Sequence, residues 1–273
     1  MAKVWNALVQ NNDPHFKNLY LKQMVPKEVS TFWSPDFAQL LSSMKQFSLA
    51  AHGNVTNERD TILEGVGRFY ERLNGMMFKH LTNVSRLTLT ASERGTLGLT
   101  KDAGSDCIPL PLTTQDMPRL ESIHLEGVWI CPDLRDIIIS RVDTLRSITL
   151  RNCMGHAPDE EYLPESRWAY LFQGLAESSP TKLKQFVIES QTKTTTAGKK
   201  ESVVESVEEA EKMKAIAHIV ATQPGRKVFP YRYCDELSGN LWDDKQVSRN
   251  AFLRGDDQKQ YDRIMEIVAI NSR

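Results

Sequence analysis

What the sequence lacks narrows the field first. No basic run is longer than a pair, and 34 Lys and Arg against 35 Asp and Glu leave a formal net charge of -1. Bulk electrostatics therefore gives no case for nucleic acid or an anionic membrane as partner. No apolar run approaches the roughly 18 residues that a membrane helix needs. The opening "MAKVWNALVQNNDPHF" is broken by Asn and Asp and lacks the uninterrupted apolar stretch of a secretory signal. The four cysteines, Cys107, Cys131, Cys153 and Cys234, contain no CxxC pair. That scatter predicts reduced thiols and a cytoplasmic or nuclear setting, where the sequons at Asn54 and Asn83 carry no meaning.

Chemical motifs are scarce as well. "TAGKKES" ends like a phosphate loop at Gly198-Lys199, but Lys193 stands where the motif needs glycine and Lys200 where it needs Ser or Thr. "EGVGRFY" has Gly65 and Gly67 but Tyr70 in place of a third glycine, inside a helical pattern. The six histidines show no metal-ligand spacing, and no nucleophile elbow occurs. No cofactor, no metal and no enzymatic activity is therefore expected. The alternative is an enzyme of unknown class with a site assembled around Cys153, His156 and Glu160. Against it, Cys153 stands where a strand runs into its loop, a place that serves backbone hydrogen bonding and packing.

What is present is a recurring strand. "RLESIHL" (Arg119–Leu125) and "TLRSITL" (Thr144–Leu150) share Leu, Ser, Ile and Leu at equal offsets. The pattern apolar-x-x-apolar-x-apolar fits at Met44, Val84, Leu120, Leu145 and Leu183, starts that are 40, 36, 25 and 38 residues apart. Between the two central copies "CPDLRDIIISRV" reads as a helix, with Pro132 in its first turn and Leu134, Ile137 and Ile138 at helical spacing. Strand, return helix and strand again predicts an irregular α/β leucine-rich-repeat-like solenoid with a helical C-terminal cap.

Three segments follow from that expectation: residues 1–40 as an N-terminal helical or linker segment, 41–200 as the repeats, and 201–273 as a capping region packed on the last repeat. Helices are expected around Ile62–Met77 and Trp168–Leu175, and after a capping box at Ser202 and Glu205. In that third helix Val203, Val207, Ala210, Met213, Ala217 and Val220 form the expected buried face, and "GDDQKQYDRIMEIVAI" reads as a last helix. Residues 91–115 and 190–200 read as loops.

With the apolar pair of each strand pointing inward, the intervening side chains face the other way. The candidate partner-binding face comprises Arg86, Thr88, His124, Glu126, Thr149, Arg151 and Glu189, with Glu126, Arg151 and Glu189 on neighbouring rungs setting specificity.

The run from "MPRLESIHLEGVWI" through "DLRDIIISRVDTLRSITLRNCMG" to "WAYLFQGLAES" and "TKLKQFVI" resembles the C-terminal leucine-rich-like region of filamentous-fungal F-box-type proteins. The resemblance implies substrate recognition linked to a cullin-type ubiquitin ligase. The F-box module itself, a helical unit opening with Leu-Pro, is absent from residues 1–40, so adaptor binding does not carry over. The expectation that remains is a non-catalytic protein-interaction scaffold with a protein partner.

Overall fold

Each copy of the pattern ends in an apolar-x-apolar run, and each run lies on a strand. The computed structural model describes residues 2–11, 13, 15–51, 64–91, 97–98, 109–156, 167–189, 207–234 and 241–273. In chain order the elements are α1 (Ala2–Gln10), β1 (Asn18–Met24), α2 (Pro35–Ser43), β2 (Gln46–Ala51), α3 (Glu64–Met76), β3 (Arg86–Thr90), β4 (Ser122–Glu126), β5 (Trp129–Ile130), α4 (Pro132–Ser140), β6 (Ser147–Arg151), β7 (Met154–His156), α5 (Trp168–Glu177), β8 (Gln185–Glu189), α6 (Val207–Thr222), β9 (Tyr231–Cys234), β10 (Leu241–Asp243), α7 (Lys245–Arg254) and α8 (Asp256–Asn271).

Six strands form a parallel sheet in the order β1-β2-β3-β4-β6-β8. The two near-identical stretches are neighbours in it, with Ser122 beside Ser147, Ile123 beside Ile148 and Leu125 beside Leu150. The same face must be buried on both strands, so the same residues recur. A second sheet, β10-β9-β7-β5, is parallel except for the β9–β10 hairpin.

The expected leucine-rich-repeat solenoid is not what the chain forms. It is an α/β protein with a central six-stranded parallel sheet flanked by helices, Rossmann-like in alternating parallel strands with helices. The sequence pattern misled because any parallel strand with one buried face writes x-apolar-x-apolar. Nor are the connections all alike. β1 reaches β2 through a short 3-10 turn and α2, β4 reaches β6 through β5 and α4, and β6 reaches β8 through β7 and α5. The strand order contains no reversal, so these strands do not make the crevice in which doubly wound folds hold nucleotides.

Local sequence explains the helices that pack on the sheet. Ser34 caps α2 by accepting from the Phe37 amide at 3.2 Å, with Pro35 at the first helical position. α4 begins at Pro132 and buries Leu134, Ile137 and Ile138. α3 buries Phe69, Leu73 and Met76, and α5 buries Trp168, Leu171, Phe172 and Leu175. Residues 1–40 contribute a strand as well as helices, and Trp5 of α1 packs edge-on against Phe32 at 4.9 Å and Phe37 at 5.8 Å.

At the far edge of the sheet, α8 packs on α5 and β8. Phe172, Phe186, Phe229 and Tyr261 form one aromatic cluster there, with centroids 5.2 to 6.1 Å apart. Asp257, in the first turn of α8, accepts from the Ala169 amide at 2.8 Å and the Tyr231 hydroxyl at 2.9 Å. One buried carboxylate thus joins the start of α5, β9 and α8.

α6 departs from its expected burial. Val203 lies outside the described residues, but Met213 and Val220 are 40% and 52% exposed, and no described side chain of α6 is buried. Alanines on the stripe bury little area, and the helix draws support from its own pairs, such as Lys212 to Glu208 at 2.8 Å. The capping box at Ser202 and Glu205 lies outside the described residues. Among the described residues no helix is long and apolar enough to cross a membrane.

Candidate functional site

Alternation along six aligned strands generates two unlike faces. One carries Phe47, Leu49, Leu87, Leu89, Ile123, Leu125, Ile148 and Leu150, all buried. The other is a grid of half-buried or exposed side chains, none of them buried. Its first rung runs Asn18, Gln46, Arg86, Ser122, Ser147, Gln185. The middle rung is Tyr20, Ser48, Thr88, His124, Thr149, Val187. The last is Ala50, Thr90, Glu126, Arg151, Glu189.

The grid is held by contacts within and between its rungs. The Tyr20 hydroxyl donates to Gln46 Oε1 at 2.8 Å, and the Ser147 hydroxyl to Gln185 Oε1 at 3.0 Å. On the last rung Arg151 Nε donates to Glu189 Oε2 at 2.7 Å. That bond, then the charges of Glu189 and Glu126, raise the Arg151 pKa above its ordinary value. The rung presents acid, base and acid in line, a fixed charge order rather than three independent side chains.

All seven residues of the expected face lie on this grid: Arg86 on the first rung, Thr88, His124 and Thr149 on the middle one, and Glu126, Arg151 and Glu189 on the last. Tyr20 was missed, at 55% exposed the largest aromatic surface on the grid. Its signal was present: "FKNLYL", starting at Phe16, is a further copy of the strand pattern.

The residues of the enzymatic alternative are placed differently. Cys153 is buried, its thiol donating to the Leu125 carbonyl at 3.6 Å, and burial pushes its pKa up to about 12. A thiol held in that state is a poor source of thiolate. His156 sits in β7 of the second sheet, edge-on to Trp129 at 5.4 Å, and burial lowers its pKa. Glu160 lies outside the described residues. Cys131 is buried too and likewise pushed up to about 12 by burial. Among the described residues no group of three His, Cys, Asp or Glu could hold a metal ion.

The class these features define is an α/β protein whose parallel sheet has one polar, accessible face. No family model, no curated protein and no solved structure matches the chain.

Proposed function

We propose that the chain is a non-catalytic protein-recognition module that binds its partner on the polar face of the six-stranded sheet. The observation that carries this reading is the one-sidedness of the burial. Parallel sheets are as a rule covered on both faces, yet here every outward side chain of six aligned strands is half-buried or exposed. The grid combines what protein interfaces use: an aromatic (Tyr20), a central histidine (His124), short hydroxyl side chains that tolerate either water or a partner, and a charged rung that fixes orientation. The buried thiols of Cys131 and Cys153 support the non-catalytic part of the reading. Substrate recognition for a ubiquitin ligase is the form that the F-box resemblance implies, and belongs to the same proposal.

The test exchanges the ends of one ion pair. In Arg151→Glu/Glu189→Arg the bridge persists while the charge pattern shown to a partner is inverted, so folding and recognition separate. Affinity capture from a filamentous-fungal lysate with wild type and this variant, both checked for an unchanged melting profile, reads the result. Proteins retained by wild type and lost from the folded variant are the expected outcome; identical capture by both, or none by either, overturns the reading. Skp-type adaptors or cullins in the wild-type capture would carry the ligase link.

A further inference from the structure

One edge of the sheet repeats a backbone feature that no strand pattern requires. The Lys45 and Gln46 amides both donate to the Lys17 carbonyl, at 2.6 and 3.1 Å. The Ser85 and Arg86 amides both donate to Lys45, and those of Glu121 and Ser122 to Ser85. Arg146 and Ser147 repeat it on Glu121, and Lys184 and Gln185 on Arg146. At every junction two residues oppose one carbonyl, which is the hydrogen-bonding of a bulge. The row so formed, just ahead of the first residue of each strand, reads Lys17, Lys45, Ser85, Glu121, Arg146, Lys184. All six but the half-buried Ser85 are exposed.

Four of the six are cations, and exposed Arg86 on the adjoining rung adds a fifth. At about 4.8 Å per strand, the row extends roughly 24 Å. Among the described residues Lys17, Lys45, Arg86 and Lys184 have no ion-pair partner, while Arg146 lies 3.7 Å from Glu121. Glu121 stands in the row itself, and exposed Asp143 lies in the turn before β6. Cations at the end of a helix offset its dipole; Lys45 directly follows the C-cap of α2 and has that place, but Lys17, Arg86, Arg146 and Lys184 stand at strand starts and have no such task. The chain's net charge of -1 conceals the row, because the acids concentrate elsewhere.

We infer that this edge binds an extended acidic peptide segment of the protein partner, laid across the strand starts with its carboxylates over the cation row. The inference rests on the protein-recognition reading and names the partner chemistry at one edge of that face. A peptide is favoured over nucleic acid by three features of this surface. Glu121 interrupts the row, the far rung holds Glu126 and Glu189, and no aromatic side chain stands between the cations to stack a base. A long nucleic-acid backbone would meet acids at both places, whereas a short acidic peptide laid along the strand starts meets only Glu121, which already lies 3.7 Å from Arg146.

The measurement is fluorescence anisotropy of a labelled short poly-glutamate peptide with the whole purified chain, at low and at physiological salt, beside a labelled oligo-dT of equal length. Binding of poly-glutamate that weakens with salt is expected, and the exposed double variant Lys45→Glu/Arg86→Glu should weaken it about tenfold or more. Lys17→Glu/Lys184→Glu, at the two ends of the row, is the second variant and should act in the same direction. Arg151→Glu/Glu189→Arg, on the far rung, should leave peptide binding unchanged. No binding by wild type, binding by both edge variants as tight as that of wild type, or oligo-dT binding as tight as poly-glutamate overturns the inference. The two proposals fail separately: lysate capture lost only on reversal of the far rung keeps the face and removes the edge. Peptide binding with capture indifferent to that reversal does the opposite.

Discussion

The two faces of the central sheet are made from the same strands, one residue out of phase, and differ in almost everything. On the inner face Leu49, Leu89, Leu125, Ile148 and Leu150 are fully buried. On the outer face their immediate neighbours Ser48, Thr88, His124 and Thr149 stay in partial contact with solvent. The outer face keeps β-branched threonines, which suit a strand, but replaces methyl groups by hydroxyls that can be left wet. The inner core also fades toward the edges, with Leu21 of β1 and Ile188 of β8 only half-buried. A parallel sheet buried on one side only is stable here because helices α2 to α5 and α8 supply a deep inner layer. Its free side is then available for recognition.

The strongest way to break the comparison is one substitution placed on either side of it. Ile148→Asp buries an unpaired carboxylate between β4 and β8 and should cost about 4 kcal/mol or more, a large share of the stability of an ordinary domain. Thr149→Asp, one residue on, faces outward and should stay within about 1 kcal/mol of wild type. Urea unfolding of both variants decides it: similar midpoints for the two would abolish the distinction between the faces.

A second, smaller effect tests how the inner face is closed at its far edge. Asp257 is 5% exposed, and burial outweighs its hydrogen bonds to raise its pKa. Removing the carboxyl in Asp257→Ala leaves the Ala169 amide and the Tyr231 hydroxyl without their acceptor and should cost about 2–3 kcal/mol. Asp257→Asn keeps an acceptor and should recover most of that. Equal losses in chemical denaturation would mean that the carboxylate does not clamp α8 to α5 and β9.

Much of this arrangement is legible in the sequence, and what is not has identifiable causes. The strand pattern marks β2, β3, β4, β6 and β8, and helical spacing marks α3, α4, α5 and α8, because each buries one stripe on the sheet. It cannot say how the connections differ, and so it suggests equal stacked units where the chain builds one sheet with unequal crossovers and a second sheet. The strands β5 and β7, of two and three residues, are too short to show a period. α6 and α8, 16 residues each, read alike as helices, yet among the described side chains only those of α8 include buried residues, Tyr261 and Ile264 among them. Apolar spacing shows that a helix has a stripe, not that anything lies on it. The cation row was equally readable, as the second position of each strand pattern (Lys17, Lys45, Ser85, Glu121, Arg146, Lys184), but only the aligned strands bring it together.

The smallest expected effect is on pH, and it sets the second sheet against the outer face of the first. His156 is 8% exposed and, with its ring edge-on to Trp129, is held neutral by burial, so its folded pKa lies below the 6.5 of an accessible histidine. For such a group the unfolded chain takes up a proton first as the pH falls. Stability is therefore fully present above pH 6.5 and declines below it, levelling once the folded pKa is passed. His80 shifts in the same direction, through burial and then the neighbouring Lys79, and adds to the decline. Melting temperature should thus drop as the pH is lowered through the histidine range, and His156→Gln should flatten that drop without removing it. An unchanged slope in the variant would mean that water reaches His156. The second sheet would then be as open as the outer face of the first.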